Sequence, residues 1–316
     1  MLKYPHMKNI IITVGILLII GIGSYFVFQG GNKEEYKDTS KDAPELENEN
    51  DTELGREQNE NPVMTEKEWS RQSVIGQSVD GKNIVAYQYG TGETELLFVG
   101  GIHGGYSWNT AEVAYDLIDY IESNNDLVSE NVQVTVIPAL NPDGLGKVVN
   151  HESGFSASDV SGSESQKVAA RFNGNDVDLN RNFDCEWQSN AKWQSRDVSG
   201  GSQVFSEPEA VAIKDYVNAN NPEAVVVWYS AGGGVFSSSC RNGVSEETKN
   251  LTNLYAKASG YKAYESFDFY ATTGDMVNWL AKEGVPAISV LLTTHESAEW
   301  NKNLNGIKAL LDYYNQ

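Results

Sequence analysis

The stretch GGIHGGYSWN, residues 100–109, places a single histidine, His103, between two glycine pairs. It comes directly after an apolar run, residues 95–100. A histidine at the end of a strand, where glycines let the chain turn sharply, is a common arrangement for a metal ligand or a general base. A hydrogen-bonded loop histidine gives the same pattern, so the rest of the chain must decide between the two interpretations.

A second group of polar residues lies in AARFNGNDVDLNRNFDCEW, residues 169–187. Arg171 and Arg181 carry guanidinium groups, which bind a carboxylate through two parallel hydrogen bonds, and the amide of Asn180 can complete such a site. Asp178 stands two residues before the asparagine. The stretch therefore indicates a site for a carboxylate ligand. The structural alternative is that Arg181 pairs with a carboxylate of the domain itself.

Alternating strands and helices must position these groups. Apolar runs predict strands over residues 83–90, 95–100, 132–140 and 286–294, and residues 224–234 predict a buried strand that runs into a glycine loop. Helical spacing predicts helices over residues 110–124, 206–220, 246–260, 273–284 and 298–314, the second capped by Ser206. The polar stretch 150–201 is predicted to be an irregular excursion. This alternation is typical of a mixed sheet between helices, in which ligands bind beyond the carboxyl ends of the strands.

The order of the motifs resembles the zinc carboxypeptidase A family, which includes bacterial enzymes that trim peptidoglycan stem peptides. The matching segments are GGIHGG, ALNPDG, DVDLNRNF, FSEPEA, VVVWYSAGGG, YATTGDMVNWL and GVPAISV. They cover about residues 70–315, and DVDLNRNF together with FSEPEA is a specific signature. The resemblance implies an α/β fold with a mixed, mostly parallel eight-stranded sheet between helices. It also implies a zinc cofactor and hydrolysis of C-terminal peptide bonds.

The resemblance further implies how a peptide substrate is held. Asn180 and Arg181 match the residues that bind its C-terminal carboxylate, and Tyr270 matches the tyrosine that closes over the bound terminus. Arg171 falls near the arginine that polarises the scissile carbonyl and stabilises the oxyanion. Val277 lies where the family sets side-chain preference, which predicts an apolar C-terminal residue.

The zinc ligands that the resemblance implies are mostly replaced in this chain. The family uses His-x-x-Glu, a second histidine and a glutamate base, and of these His103 is kept, with Asp178 as the carboxylate that orients it. The first glutamate is replaced by Tyr106, or by Ser107 if the alignment shifts by one residue. The second histidine is replaced by Tyr229 and the general base by Leu291.

These replacements predict a domain that binds peptides without hydrolysing them. A catalytic zinc ion needs three protein ligands and one open position for water. One imidazole does not meet this need, and a phenol must first lose a proton with a pKa near 10. We therefore expect zinc not to be bound, and the partners to be the C-termini of peptides or of peptidoglycan stem peptides. The alternative is an active metallocarboxypeptidase with a non-standard zinc site that includes His295, whereas His151 is predicted to be a solvated loop residue.

The residues before the domain have a different composition. Residues 1–8 carry Lys3 and Lys8, and residues 9–29 form an apolar segment long enough to span a bilayer of about 30 Å. Residues 30–62, rich in Glu, Asp and Asn, predict a disordered stalk before a folded domain over residues 63–316. This pattern predicts a single-pass membrane protein with an extracellular domain. Cleavage of the apolar segment as a signal peptide would give a secreted protein instead.

Charge and cysteine content narrow the environment of the domain. The net charge of −21 argues against nucleic acid as a partner, because phosphates would be repelled. Cys185 and Cys240 are the two cysteines of the chain, and oxidising surroundings permit a disulfide bond between them. Two free thiols are the alternative.

Overall fold

The computed structural model describes residues 69–151 and 154–316. The described residues belong to one compact unit, residues 61–316. The predicted membrane anchor, residues 9–29, and the predicted stalk, residues 30–62, lie outside the described residues. In the part of the chain that is described, every helix is too short or too polar to cross a membrane.

Ten strands are found in the described residues. In chain order they are β1 (Ser70–Gln77), β2 (Asn83–Tyr89), β3 (Thr94–Val99), β4 (Val132–Ile137), β5 (Asn190–Trp193), β6 (Arg196–Ser199), β7 (Ala224–Ser230), β8 (Gly234–Ser237), β9 (Lys262–Tyr264) and β10 (Ala287–Leu292). Eight of them form one sheet in the order β1-β2-β4-β3-β7-β10-β8-β9, and β5 and β6 form a separate hairpin. Strands β4, β3, β7 and β10 run parallel to one another in the centre of the sheet. The predicted mixed, eight-stranded sheet is therefore confirmed.

Seven α-helices accompany the sheet in the described residues. They are α1 (Trp108–Ser123), α2 (Pro142–Leu145), α3 (Glu164–Ala169), α4 (Pro208–Asn220), α5 (Glu246–Ser259), α6 (Met276–Lys282) and α7 (Trp300–Tyr314). Successive residues of a strand point to opposite faces, so the central strands contribute side chains to two separate hydrophobic cores. Leu97 and Val227 pack with side chains of α4 and α6 on one face. Phe98 and Trp228 pack with side chains of α1, α5 and α7 on the other.

Two local predictions were wrong. Helix α4 begins one position later than expected, because Glu207 is extended before Pro208 and is the N-cap residue, while the Ser206 hydroxyl donates to the Glu207 carboxylate at 2.7 Å. The stretch 150–201 is not wholly irregular, since it contains α3 and the β5–β6 hairpin. Ala191, Trp193 and Val198 are the buried residues of the hairpin strands and alternate with exposed polar ones, which is the pattern of a short hairpin with one covered face.

A disulfide bond joins Cys185 and Cys240, whose Cα atoms are 6.0 Å apart. This confirms the bridge that the two cysteines permitted. It connects the segment after Arg181 with the segment after β8, and both cysteines lie in the wall of the cleft described below.

We expect reduction of this disulfide to lower the free energy of unfolding by up to about 4 kcal/mol, because the reduced unfolded chain gains loop entropy. Urea denaturation with and without a reductant measures the change. Thiol titration of the unreduced, denatured protein should find no free thiol. Two titratable thiols would show that the bridge is absent.

Candidate functional site

The residues singled out from the sequence meet at the carboxyl ends of the central parallel strands. His103 follows β3, Tyr229 is near the end of β7 and Leu291 is near the end of β10. All three line a cleft of about 1090 Å³, together with Arg171 and Arg181. The same cleft is also lined by Asn180, Tyr106, Tyr270 and Val277. The structure therefore brings together the residues that the sequence analysis assigned to one site.

Arg171 and Asp178 form a buried ion pair beneath the cleft. The Nε and Nη2 atoms of Arg171 each lie 2.9 Å from Oδ2 of Asp178, and the two side chains are 2% and 0% exposed. Burial alone raises the pKa of the Asp178 carboxyl, but the charges of Arg171 and Arg181 outweigh it and lower that pKa to about 2. The indole of Trp193 covers the guanidinium at 4.4 Å. Arg171 is thus paired with a neighbouring carboxylate and stacked against Trp193 of the hairpin, while it still lines the cleft.

The side-chain amide of Asn180 is hydrogen-bonded on both sides within the protein. Its Nδ2 donates to Oδ2 of Asp275 at 2.7 Å. Its Oδ1 accepts from the backbone N–H of Met276 at 3.0 Å and from the hydroxyl of Tyr229 at 3.3 Å. Asp275 uses one of the two N–H donors of this amide, so a ligand carboxylate has the second N–H available and competes with Asp275 for the first.

Asp275 is a site residue that the sequence analysis missed. It caps helix α6, since Oδ1 accepts from the backbone N–H of Asn278 at 3.1 Å, and its other oxygen faces Asn180. Burial raises the pKa of this carboxyl, and the charge of Arg181 opposes the rise. A capping aspartate at the start of a predicted helix was the only signal in the sequence, and capping alone does not place a residue in a binding site.

Arg181 lies beneath Tyr270 and is held by backbone carbonyls. Its Nε donates to the carbonyl of Lys192 at 2.9 Å, and its Nη1 donates to the carbonyl of Asn180. The Tyr270 ring centre is 5.9 Å from the guanidinium carbon. Within the described residues these bonds occupy two of the five N–H donors of a guanidinium, so the others remain for a ligand in the cleft.

His103 is buried and lacks hydrogen bonds. It is 5% exposed, and neither ring nitrogen has a hydrogen-bond partner among the described residues. Its Nε2 lies 3.6 Å from Oδ1 of Asp178, which is longer than a hydrogen bond. Burial, with the charge of Arg171 adding to it, lowers the pKa of the imidazole well below its usual value. The imidazole is therefore neutral at pH 7, and the carboxylate expected to orient it is nearby but not bonded to it.

The side chains around His103 do not fit a catalytic zinc ion. Tyr229 packs with its ring centre 5.5 Å from that of His103, and burial raises the pKa of its phenol well above the usual value. Tyr106 packs against Trp193 and His295, with ring centres 4.9 and 4.4 Å away. Leu291 offers no donor atom. In residues 69–151 and 154–316, no three His, Cys, Asp or Glu side chains are grouped so that they could hold a metal, whereas catalytic zinc needs three protein ligands.

The two other histidines of the described residues occupy different positions. His295 is half-buried and lines the cleft, whereas the side chain of His151 is 46% exposed and lies 3.9 Å from Asp159. Ser107, the alternative to Tyr106 in the alignment, is buried and is not among the residues that line the cleft.

Apolar side chains form a wall of the cleft. Val277 of helix α6, 3% exposed, belongs to the same apolar cluster as Phe236, and Phe267 packs against this cluster. These three residues and Phe269 line the cleft. The ring centres of Phe267 and Tyr270 are 5.0 Å apart, and Phe269 is 58% exposed at the rim. The sequence analysis identified Val277 here but missed Phe267 and Phe269, because residues 265–269 carry no recognisable pattern, and it missed Phe236, because strand β8 was not predicted.

The zinc carboxypeptidase family model (peptidase M14) matches residues 59–310, and the chain belongs to this family. Gamma-D-glutamyl-L-diamino acid endopeptidase 1 of Lysinibacillus sphaericus is 24% identical over 217 residues, which are 62% of this chain and 54% of that relative. The match thus spans about half the length of the curated relative.

Solved structures of similar fold include an amidase and a carboxypeptidase. Murein-tripeptide amidase MpaA from Escherichia coli O157 superposes with a TM-score of 0.51 at 18% identity, over 79% of this chain and 98% of that one. Carboxypeptidase A from Helicoverpa armigera gives a TM-score of 0.58 at 17% identity, over 78% and 68% of the two chains. At these identities the likeness supports the metallocarboxypeptidase-like fold.

Proposed function

We propose that this domain binds peptides or peptidoglycan stem peptides by their C-terminal carboxylate and does not hydrolyse them with zinc. One observation carries the proposal: among the described residues Arg181 keeps donors without a partner, in a cleft that Tyr106, Tyr229 and Leu291 line at the positions where the family resemblance implies zinc-site residues. The names of two similar proteins, a murein-tripeptide amidase and a γ-D-glutamyl-L-diamino acid endopeptidase, support a peptide of cell-wall type.

The positions of charged and apolar residues in the cleft support one orientation of the bound peptide. Arg181 takes the carboxylate, and the wall of Val277, Phe236 and Phe267 takes an apolar terminal side chain. Arg171 contributes positive potential, but its direct hydrogen bonds go to Asp178. The carboxylate contact therefore depends on Arg181, with Tyr270 above it.

We expect a free-acid peptide to bind about ten- to a hundredfold more tightly than its C-terminal amide, since a hydrogen bond to a charged group is worth roughly 1.5–3 kcal/mol. Titration calorimetry of both peptides measures the ratio. In Arg181→Gln the preference should disappear. Arg241→Gln is the matched control, because it removes a positive charge from the same cleft at an exposed position paired with Glu186. Equal affinity of the wild type for both peptides would contradict the proposal.

We also propose that residues 9–29 anchor the protein and that the domain is extracellular. The disulfide bond supports this location, because such bonds persist in oxidising compartments. Protease treatment of intact cells tests it: digestion of the domain is expected, and full protection of a domain that is digested after lysis would refute it.

A further inference from the structure

Three polar side chains meet in the wall of the cleft, apart from Arg181. The hydroxyl of Ser230 donates to Oδ1 of Asn109 at 3.0 Å and lies 2.9 Å from Nδ1 of His295. Ser230 ends β7 and is paired with Leu292 at the end of β10. Because His295 follows shortly after Leu292 in the chain, it lies close to the serine. Ser230 and His295 both line the cleft and are half-buried, so a ligand in the cleft can reach them.

The surroundings hold each member of this group in place. Asn109 is fully buried, and its Nδ2 donates to the carbonyls of Thr294 and Ser297 at 2.8 and 2.9 Å, which directs its Oδ1 toward Ser230. The His295 ring lies 4.4 Å from the Tyr106 ring and bonds to the Tyr106 backbone. In the tautomer that carries its proton on Nε2, Nδ1 can accept the single proton of the serine hydroxyl when that hydroxyl turns from Asn109 to His295.

We propose that Ser230 is a nucleophile activated by His295, which gives this cleft a metal-independent acyl-transfer activity toward activated acyl compounds such as aryl esters. A hydroxyl bonded to a histidine that a third group orients is the general arrangement of an activated serine. The proposal goes beyond carboxylate binding and does not depend on it.

The reaction conserves atoms and charge without a metal or a redox partner. The Ser230 oxygen forms a bond to the carbonyl carbon while its proton moves to Nδ1 of His295. The bond from that carbon to the aryl oxygen then breaks, and the leaving oxygen takes the proton from His295. Water cleaves the resulting acyl-serine ester by the same proton route. The charge of Arg171, which lines the same cleft, favours the developing oxyanion.

A structural role for the same contacts has to be distinguished from this chemistry. If the Ser230 hydroxyl keeps its hydrogen bond to Asn109 and Nδ1–H of His295 donates to Ser230, the three side chains only tie the segment after β10 to β7 and α1. Such a network predicts an unreactive serine. Covalent labelling separates the two cases, because hydrogen bonding alone does not make Ser230 react.

The full-length protein treated with a fluorophosphonate probe, in the presence of a chelator, provides the test. Attack of the Ser230 oxygen on phosphorus displaces fluoride, and mass spectrometry locates the adduct. We expect Ser230 to be modified, and His295→Gln to slow the modification about 100-fold. Ser237→Ala is the matched control, since Ser237 also lines the cleft but bonds to Thr252, and it should leave the rate unchanged.

Two results would overturn the proposal. One is an absence of adduct at Ser230. The other is an adduct that forms at the same rate in folded His295→Gln, with folding checked by circular dichroism. If His295→Gln does not fold, the exposed Ser195 of the same cleft becomes the internal reference. Equal modification of Ser195 and Ser230 would then contradict activation, and preferential modification of Ser230 would support it.

Discussion

A variant that carries Tyr229→His, Leu291→Glu and Tyr106→Glu is expected to bind one zinc ion tightly. Together with His103 it would hold two imidazoles and a carboxylate, which is the ligand set of many catalytic zinc sites, and the carboxylate introduced by Leu291→Glu would supply a base. The sequence left Ser107→Glu as an alternative to Tyr106→Glu. Because Tyr106 lines the cleft and Ser107 is buried away from it, the structure favours Tyr106→Glu.

Zinc content after dialysis is the measurement for this variant, with the wild type beside it. A matched triple variant with glutamine in place of both new glutamates keeps the size of the side chains but lacks their charge, and should bind far less zinc. His103→Ala in the triple background should abolish binding. We expect peptide hydrolysis to be slow even with zinc, because a misplacement of about 1 Å costs roughly a hundredfold in rate. No zinc in either the Tyr106→Glu or the Ser107→Glu version would contradict the assignment of these positions.

The second large effect is expected at the Arg171–Asp178 ion pair. Asp178→Asn should lower the free energy of unfolding by about 3–5 kcal/mol, because it leaves the buried charge of Arg171 without its counter-ion. Urea denaturation measures this change. Asp197→Asn is the control: it breaks the exposed Lys192–Asp197 pair and should cost less than about 1 kcal/mol. A loss below about 1 kcal/mol in Asp178→Asn would show that the pair is not buried as described.

The same carboxylate predicts how stability depends on pH. The pKa of Asp178 is about 2 in the folded protein, and that of an aspartate in an unfolded chain is about 3.9. The lowered pKa stabilises the fold fully above about pH 5, and this contribution, roughly 2–3 kcal/mol, is lost as the pH falls through about 2. Asp178→Asn should lack this component of the acid transition when its unfolding is compared with that of the wild type between those pH values.

Much of the fold followed from the sequence because apolar periodicity reports burial directly. The strand over residues 286–294 and the helix over residues 246–260 appear as β10 and α5 with small shifts at their ends. The hairpin β5–β6 was missed because its strands are four residues long and largely exposed. Short strands of this kind are fixed by tertiary contacts, here the cover that Trp193 gives to Arg171.

The residues of the candidate site were also predicted only in part from the sequence. The family resemblance implied that His103, Asp178 and Arg181 belong to one site. His103 and Arg181 line the cleft, and Asp178 lies 3.6 Å from His103. The motifs could not reveal that Asp275 accepts a hydrogen bond from the Asn180 amide. Nor could they reveal that Ser230 is within hydrogen-bonding distance of His295, which lies 65 residues further along the chain. Both contacts depend on how loops from separate strands pack, which no local pattern encodes.

The central claim, that this cleft binds peptides without catalytic zinc, is tested most directly by the metal content of the purified wild-type protein. We predict that zinc does not remain in stoichiometric amount after dialysis, and that peptides with a free C-terminus are bound but show no cleavage that a chelator abolishes. About one zinc per chain that survives dialysis, together with peptide hydrolysis that a chelator stops and zinc restores, would contradict the account. The missing ligands would then have to come from side chains other than Tyr106, Tyr229 and Leu291.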